Sequence, residues 1–88
     1  MSSPTTNDAE ALALAALAAT LTDERRAQRF LDLTGLDSDE LRARAEERSV
    51  LVATLTFLEA HEPDLIEVAK SLNIKPETLV AARSELER

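Results

Sequence analysis

Cysteine, tryptophan and tyrosine are absent from this chain of 88 residues, and glycine occurs only once. Each absence excludes something. Without cysteine there is neither a disulfide framework nor a thiolate metal site. With Gly35 alone, no glycine-rich loop can cradle a phosphate. One Gly and three Pro also leave few breaks in local structure. Stretches alternating polar and apolar with period two are few, so a sheet is not expected. Positive charge is scarce as well: ten Lys and Arg stand against seventeen Asp and Glu, a net charge of −7. No Lys or Arg precedes the apolar run ALALAALAAT, which argues against a secretory signal. That run is also far shorter than the ~20 apolar residues that cross a bilayer. The expectation is a cytoplasmic protein without a membrane segment.

What is present is helix-forming. The 44% hydrophobic content is mostly Leu, Ala and Val, joined by many Glu and Arg, and Leu, Ala, Glu and Arg are strong helix formers. The length suits one domain with a modest core. The fold class expected is all-α, a bundle of about six short helices over residues 8–88, behind a polar tail, residues 1–7. The tail has nothing to bury and is expected to be disordered.

Punctuation places the helices. The first runs from about Asp8 to Leu21, capped by Asn7 or Asp8. Thr22 caps a second, Asp23 to about Leu33, which Gly35 ends in a left-handed conformation. Asp37 with Glu40 forms a capping box for a third that ends near Glu47. Ser49 caps a fourth, Val50 to Ala60. Pro63 suits the first turn of a fifth, which Asn73 stops, and Pro76 opens a sixth.

A shift of 38 residues lays the second half on the first. Leu17 then meets Leu55, Phe30 meets Val68, Gly35 meets Asn73, Leu36 meets Ile74 and Leu41 meets Leu79. The pattern allows two pseudo-repeated three-helix units, although few paired residues are identical and two units are fewer than a solenoid needs. Helices one and four are apolar almost all round, the mark of helices surrounded by protein. They are expected to form the centre, with Ala9, Ala13, Ala16 and Ala53 allowing close approach and the other four helices covering them. Burial completed in a homodimer is the alternative, so monomer and homodimer both stay open.

The segments DAEALALAALA, RFLDLTGLDSDELRARAEE and FLEAHEPDLIEVAKSLNIKPETLVAARSEL span most of the chain. On them, the sequence resembles a family of small alphaproteobacterial proteins classed as a domain of unknown function. RFLDLTGLDSDELRARA is the most specific stretch, and Asn73, where Gly is expected, departs from the pattern. The resemblance implies a compact helical domain in a bacterial cytoplasm. It implies no activity, cofactor or site residue.

VAKSLNIKPETLVAAR, Val68 to Arg83, has the spacing of a helix-turn-helix. Ala69 is small where the second helix crosses, Asn73 fits the turn, Ile74 plugs the corner, and Leu79 and Ala82 face inward. As a DNA signal it is poor. Binding rests on neutralised phosphates and on side chains that reach base edges. From Lys75 to Arg88 three basic residues meet three Glu, and the outward positions Glu77, Thr78, Val80 and Ala81 offer bases nothing. The whole-chain charge repels a polyanion.

Catalysis has no better basis. His61 is the only histidine, and it stands at the end of helix four, where the helix dipole favours a cation. HEPD, His61 to Asp64, matches no metal spacing. No base, nucleophile and orienting group occur together. Neither an enzyme nor a cofactor is expected.

An interaction module remains, with a helix-turn-helix-like DNA-binding or transcription-associated domain as the alternative. Six of the ten basic residues, Arg25, Arg26, Arg29, Arg42, Arg44 and Arg48, fall on helices two and three. Arg25 with Arg29, and Arg44 with Arg48, are i,i+4 pairs, each on one helix face. Guanidinium favours a two-pronged grip on carboxylate or phosphate. The partner-binding residues expected are Arg25, Arg29, Arg44 and Arg48, and the expected ligand is an acidic segment of an unidentified protein partner or an anion. The competing reading pairs these arginines with Asp32, Glu40, Glu46 and Glu47 as ordinary solvated surface.

Overall fold

A computed structural model describes residues 5–88, and among these every regular element is helical. The helices are α1 (Thr5–Thr20), α2 (Glu24–Thr34), α3 (Ser38–Arg44), α4 (Arg48–Glu59), α5 (Glu62–Ser71) and α6 (Pro76–Leu86). The chain is an all-α bundle.

Local chemistry accounts for most boundaries. The Asp37 carboxylate accepts from the Glu40 N–H at 2.8 Å while Glu40 accepts from the Asp37 N–H at 3.1 Å, the expected capping box. Gly35 and Asn73 both have positive φ, 76° and 61°, so each stops its helix in the left-handed region. Two expected caps differ. Asp23, not Thr22, caps α2, because its carboxylate accepts from the Arg26 N–H at 2.9 Å. The Thr22 hydroxyl instead donates back to the Ala19 carbonyl at 2.7 Å, closing α1. Helix α4 starts at Arg48 behind an extended Glu47 that makes no side-chain cap bond, so Ser49 lies within the first turn. Helix α3 stops at Arg44, short of the expected Glu47.

The first helix begins three residues before the expected Asp8. Of the expected polar tail, residues 1–4 lie outside the described residues.

Helices α1 and α4 pack together at the centre, with Ala13, Ala16, Leu17, Leu51, Leu55 and Leu58 buried. Buried alanines on α1 let backbones approach, since small side chains leave room for a neighbour. The hydroxyls of Thr20 and Thr54, both buried, donate to the Ala16 and Val50 carbonyls one turn back. Among the described residues no buried side-chain polar atom is left without a partner.

The expected shell of four covering helices is uneven. Helix α6 lies along both α1 and α4 and α5 touches both, whereas α3 makes few contacts with either. In consequence Ala11, Leu14 and Ala18 of α1 reach the surface, and Ala53 of α4 is half-buried at the edge of a groove.

Candidate interaction surface

The charges that matter most to this domain lie between α2 and α5. The Arg26 side chain is buried and donates from Nε to Asp64 Oδ1 at 3.1 Å. It also donates to Glu67, and Arg29 donates to the second oxygen of Asp64. Burial alone would raise the Asp64 carboxyl, but hydrogen bonds from Arg29 and Arg26 and their positive charges outweigh it and hold it below its ordinary value. Arg29 also lies 5.2 Å above the Phe57 ring, which meets Phe30 edge-on at 5.2 Å. Arg29 therefore ties α2 to both α4 and α5. Asp64, read from sequence only as a neighbour of His61, is the hub of this cluster. His61 itself precedes α5 as an exposed, extended residue with no capping side-chain bond.

The other expected site arginines fall differently. Arg44 pairs with Glu47 at 2.9 Å. Arg25 and Arg48 are exposed and enter no ion pair among the described residues. Of the four acids expected as partners, only Glu47 serves an expected site arginine. Asp32 accepts from Gln28 at 2.8 Å, and Glu40 is committed to its cap. Arg42 reaches Asp39 only at 3.9 Å, both fully in solvent.

Two apolar grooves open beside these arginines. One, of about 490 Å³, lies between the α2–α3 corner and α4, with Leu33, Leu36, Val52, Ala53 and Phe57 on its walls and Arg44 and Ser49 at its edge. A shallow hollow adjoins it, sharing Leu33 and Phe57 and bordered by Arg29 and Asp32. Leu33 is 70% exposed, the most exposed large apolar side chain described. The structure thus gathers Arg29 and Arg44 around one apolar face, with Arg48 next to Ser49 in the chain. Arg25 lies one turn from Arg29, farther from the groove. A second groove, of about 440 Å³, runs between α1, α2 and α3 past Leu14, Leu21, Leu31 and Leu41.

The helix-turn-helix-like corner is present. Val68, Ala69, Leu79 and Ala82 are buried, Asn73 makes the turn, and the Ile74 N–H reaches the Ala69 carbonyl at 3.0 Å. Lys70 and Lys75 of this corner are exposed, whereas the arginines of α6 and its end are engaged within the fold. Arg83 binds Glu59 of α4 and, at 2.7 Å, Glu87; Arg88 binds Glu85 at 3.1 Å.

The geometry describes an all-helical domain. Comparison with protein families matches residues 6–88 to the family described as "Protein of unknown function (DUF3572)". The chain belongs to that family. Neither the curated proteins nor the solved structures give a match. Among the described residues of this DUF3572 chain, no group of three or more His, Cys, Asp or Glu is placed to hold a metal ion. No helix among them is long and apolar enough to cross a membrane.

Proposed function

We propose that this DUF3572 chain is a protein-interaction module, and that it docks an acidic segment of a partner on the face formed by α2, α3 and the start of α4. One observation carries the reading. An apolar groove walled by exposed Leu33 and by Phe57 is flanked by arginines, in a chain whose net charge is −7. Isolated exposed leucines are ordinary, but contiguous apolar surface with a charged rim, here Arg29, Asp32 and Arg44, marks an interaction site. Arg48 adds a second reason. It opens α4, where the helix dipole disfavours a cation, so its charge does nothing for the helix that carries it.

The reading makes the protein a binder rather than a catalyst and needs no cofactor. A cytoplasmic location belongs to it, since a cysteine-free chain makes no use of an oxidising compartment. DNA binding through α6 is the weaker alternative, because the arginines of that helix and its end are already held by glutamates.

The test is the triple variant Arg25→Gln, Arg44→Gln and Arg48→Gln, with Arg29 kept because it holds Asp64. After circular dichroism confirms the fold, affinity capture from the native cell should lose the partners that the parent retains. An unchanged set of captured proteins refutes the docking face.

A further inference from the structure

Helix α1 is apolar on the side that faces the core and apolar on the side that faces solvent. From Ala9 to Leu21 the exposed positions are Ala11, Leu14, Ala18 and Leu21, with no polar side chain among them. The Leu21 N–H reaches the Leu17 carbonyl at 3.1 Å, so the helical turn continues past the end of α1. The four residues are spaced three, four and three apart, the seam of a paired helix rather than the polar outer face of a surface helix. The outward residues of α6, Glu77, Thr78, Ala81 and Ser84, show the ordinary surface pattern. The groove of about 440 Å³ widens the seam, bringing Leu31 and Leu41 beside Leu14 and Leu21.

The order of residues along the seam says what fits it. Positions 11 and 21, and 14 and 18, are each centred on residue 16. A second copy laid antiparallel about a two-fold axis at that level sets Ala11 against the partner's Leu21 and Leu14 against the partner's Ala18. Each leucine then meets an alanine, the large-on-small filling that packs without voids. A parallel pair would set leucine on leucine and leave gaps at both alanine levels. The charges on α3 obey the same axis. Glu46 borders the seam beside Ala11 and Leu14, and Arg42 borders the groove that runs on to Leu21. Both are exposed; Arg42 reaches only Asp39, at 3.9 Å, and Glu46 enters no ion pair among the described residues. The antiparallel axis turns α3 end for end, so Arg42 faces the partner's Glu46 and Glu46 the partner's Arg42, the reciprocity of a two-fold contact. A parallel pair would carry the two α3 helices to opposite flanks and make neither contact.

We propose that the outer face of α1 is the contact surface of a homodimer, in which two copies pack their Ala11, Leu14, Ala18 and Leu21 seams antiparallel while Arg42 and Glu46 pair across the edge. A strongly acidic or basic segment is a poorer occupant, because the seam is uncharged and its border carries both signs. The seam includes neither Leu33 nor Arg44, so the inference stands independently of the docking face. It spans only about 15 Å of helix, short for a standard interface, so the dimer is weak, with a dissociation constant on the order of 10–100 μM.

The experiment follows the full-length chain by sedimentation from about 5 μM to about 1 mM, where a monomer that becomes a dimer is expected. Leu14→Lys and Ala18→Lys, both at exposed positions and checked for helicity by circular dichroism, should each weaken the dimer at least about tenfold. Arg42→Glu and Glu46→Arg should each weaken it about threefold at low salt, and the two together should restore it. Orientation is read by cross-linking, since the chain has no cysteine of its own. Chains carrying Ala11→Cys and Leu21→Cys, mixed in equal amounts and oxidised, should give mainly the mixed disulfide dimer. Disulfide dimers of each variant with itself would mean a parallel pair and overturn the proposal. So does a parent that stays monomeric at about 1 mM, or a dimer indifferent to both lysine substitutions. A double charge variant no tighter than the single ones overturns it as well.

Discussion

Asp64 has both carboxylate oxygens committed, one to Arg26 and one to Arg29, in a site mostly closed to water. Its folded-state pKa is depressed, so its stabilising contribution is complete above the unfolded-chain value of ~3.9 and is lost as pH falls through the folded-state value. Urea unfolding should therefore show a stability loss below about pH 4 that is smaller in Asp64→Asn than in the parent. An equal loss in both would show that other carboxylates dominate the acid limb. At neutral pH, Asp64→Ala should cost about 3 kcal/mol, because Arg26 stays buried and keeps only Glu67. Replacing both buried partners, Arg26→Met with Asp64→Leu, should recover much of that loss, since no buried charge is then stranded. A double variant no more stable than Asp64→Ala would show that the pair is needed for more than its own neutralisation. The signal for this cluster was in the sequence as opposite charges 38 residues apart. It was not readable as a contact, because a linear pattern does not say that the two halves face each other.

At the scale of the helices, caps and stops were the most legible features. Side-chain oxygens and left-handed residues act over three or four positions, so their effect is written locally. Gly35 has open space where a Cβ would stand, which isolates the backbone term. Gly35→Ala should cost about 1 kcal/mol from left-handed strain alone, and Gly35→Asn less, as Asn73 already occupies the equivalent site. If thermal unfolding finds Ala as stable as Gly, the helix end has rearranged. Core positions were equally visible. Leu17 and Leu55, equivalent under the 38-residue shift, are 3% and 0% exposed. Leu→Ala at either should cost about 2–5 kcal/mol by chemical denaturation. A change under about 0.5 kcal/mol would remove that residue from the centre. The missed caps share one cause. Thr22 and Ser49 are good cap types, but Asp23 is a neighbouring competitor with a charged acceptor, and Glu47 already stands extended before α4.

Across the whole molecule the asymmetry between α3 and α6 decides which region is least held. Helix α6 is fixed against α1, α4 and α5, while α3 contributes one fully buried side chain, Leu41. Amide hydrogens of α3 should exchange at least about tenfold faster than those of α6 under native conditions. Equal protection would show that the two halves open as one unit. The same arrangement bears on DNA. Titration with short duplexes at low salt should leave α6 amides unmoved, because Arg83 and Arg88 are paired and the outward residues Glu77, Thr78 and Ala81 are not basic. Saturable micromolar shifts along α6 would restore the DNA-binding reading.

The sequence by itself determined that this protein is helical, where most of its helices stop, and which leucines lie inside. Those properties follow from periodicity, caps and left-handed residues, whose physics spans a turn or two of helix. Only the tertiary structure decided that Arg26 is buried against Asp64, that Arg29 is shared between Asp64 and Phe57, and that α3 leaves α4 partly uncovered. Each of these depends on how two halves of similar pattern meet, and opposite charges or a shortened helix acquire meaning only once their facing partners are in place. Arg25, Arg29, Arg44 and Arg48 looked alike as a cluster of charge. Folding made Arg29 a structural tie, set Arg44 at the edge of an apolar groove in a pair with Glu47, and left Arg25 and Arg48 exposed, because burial and pairing, not residue type, set what a charge does.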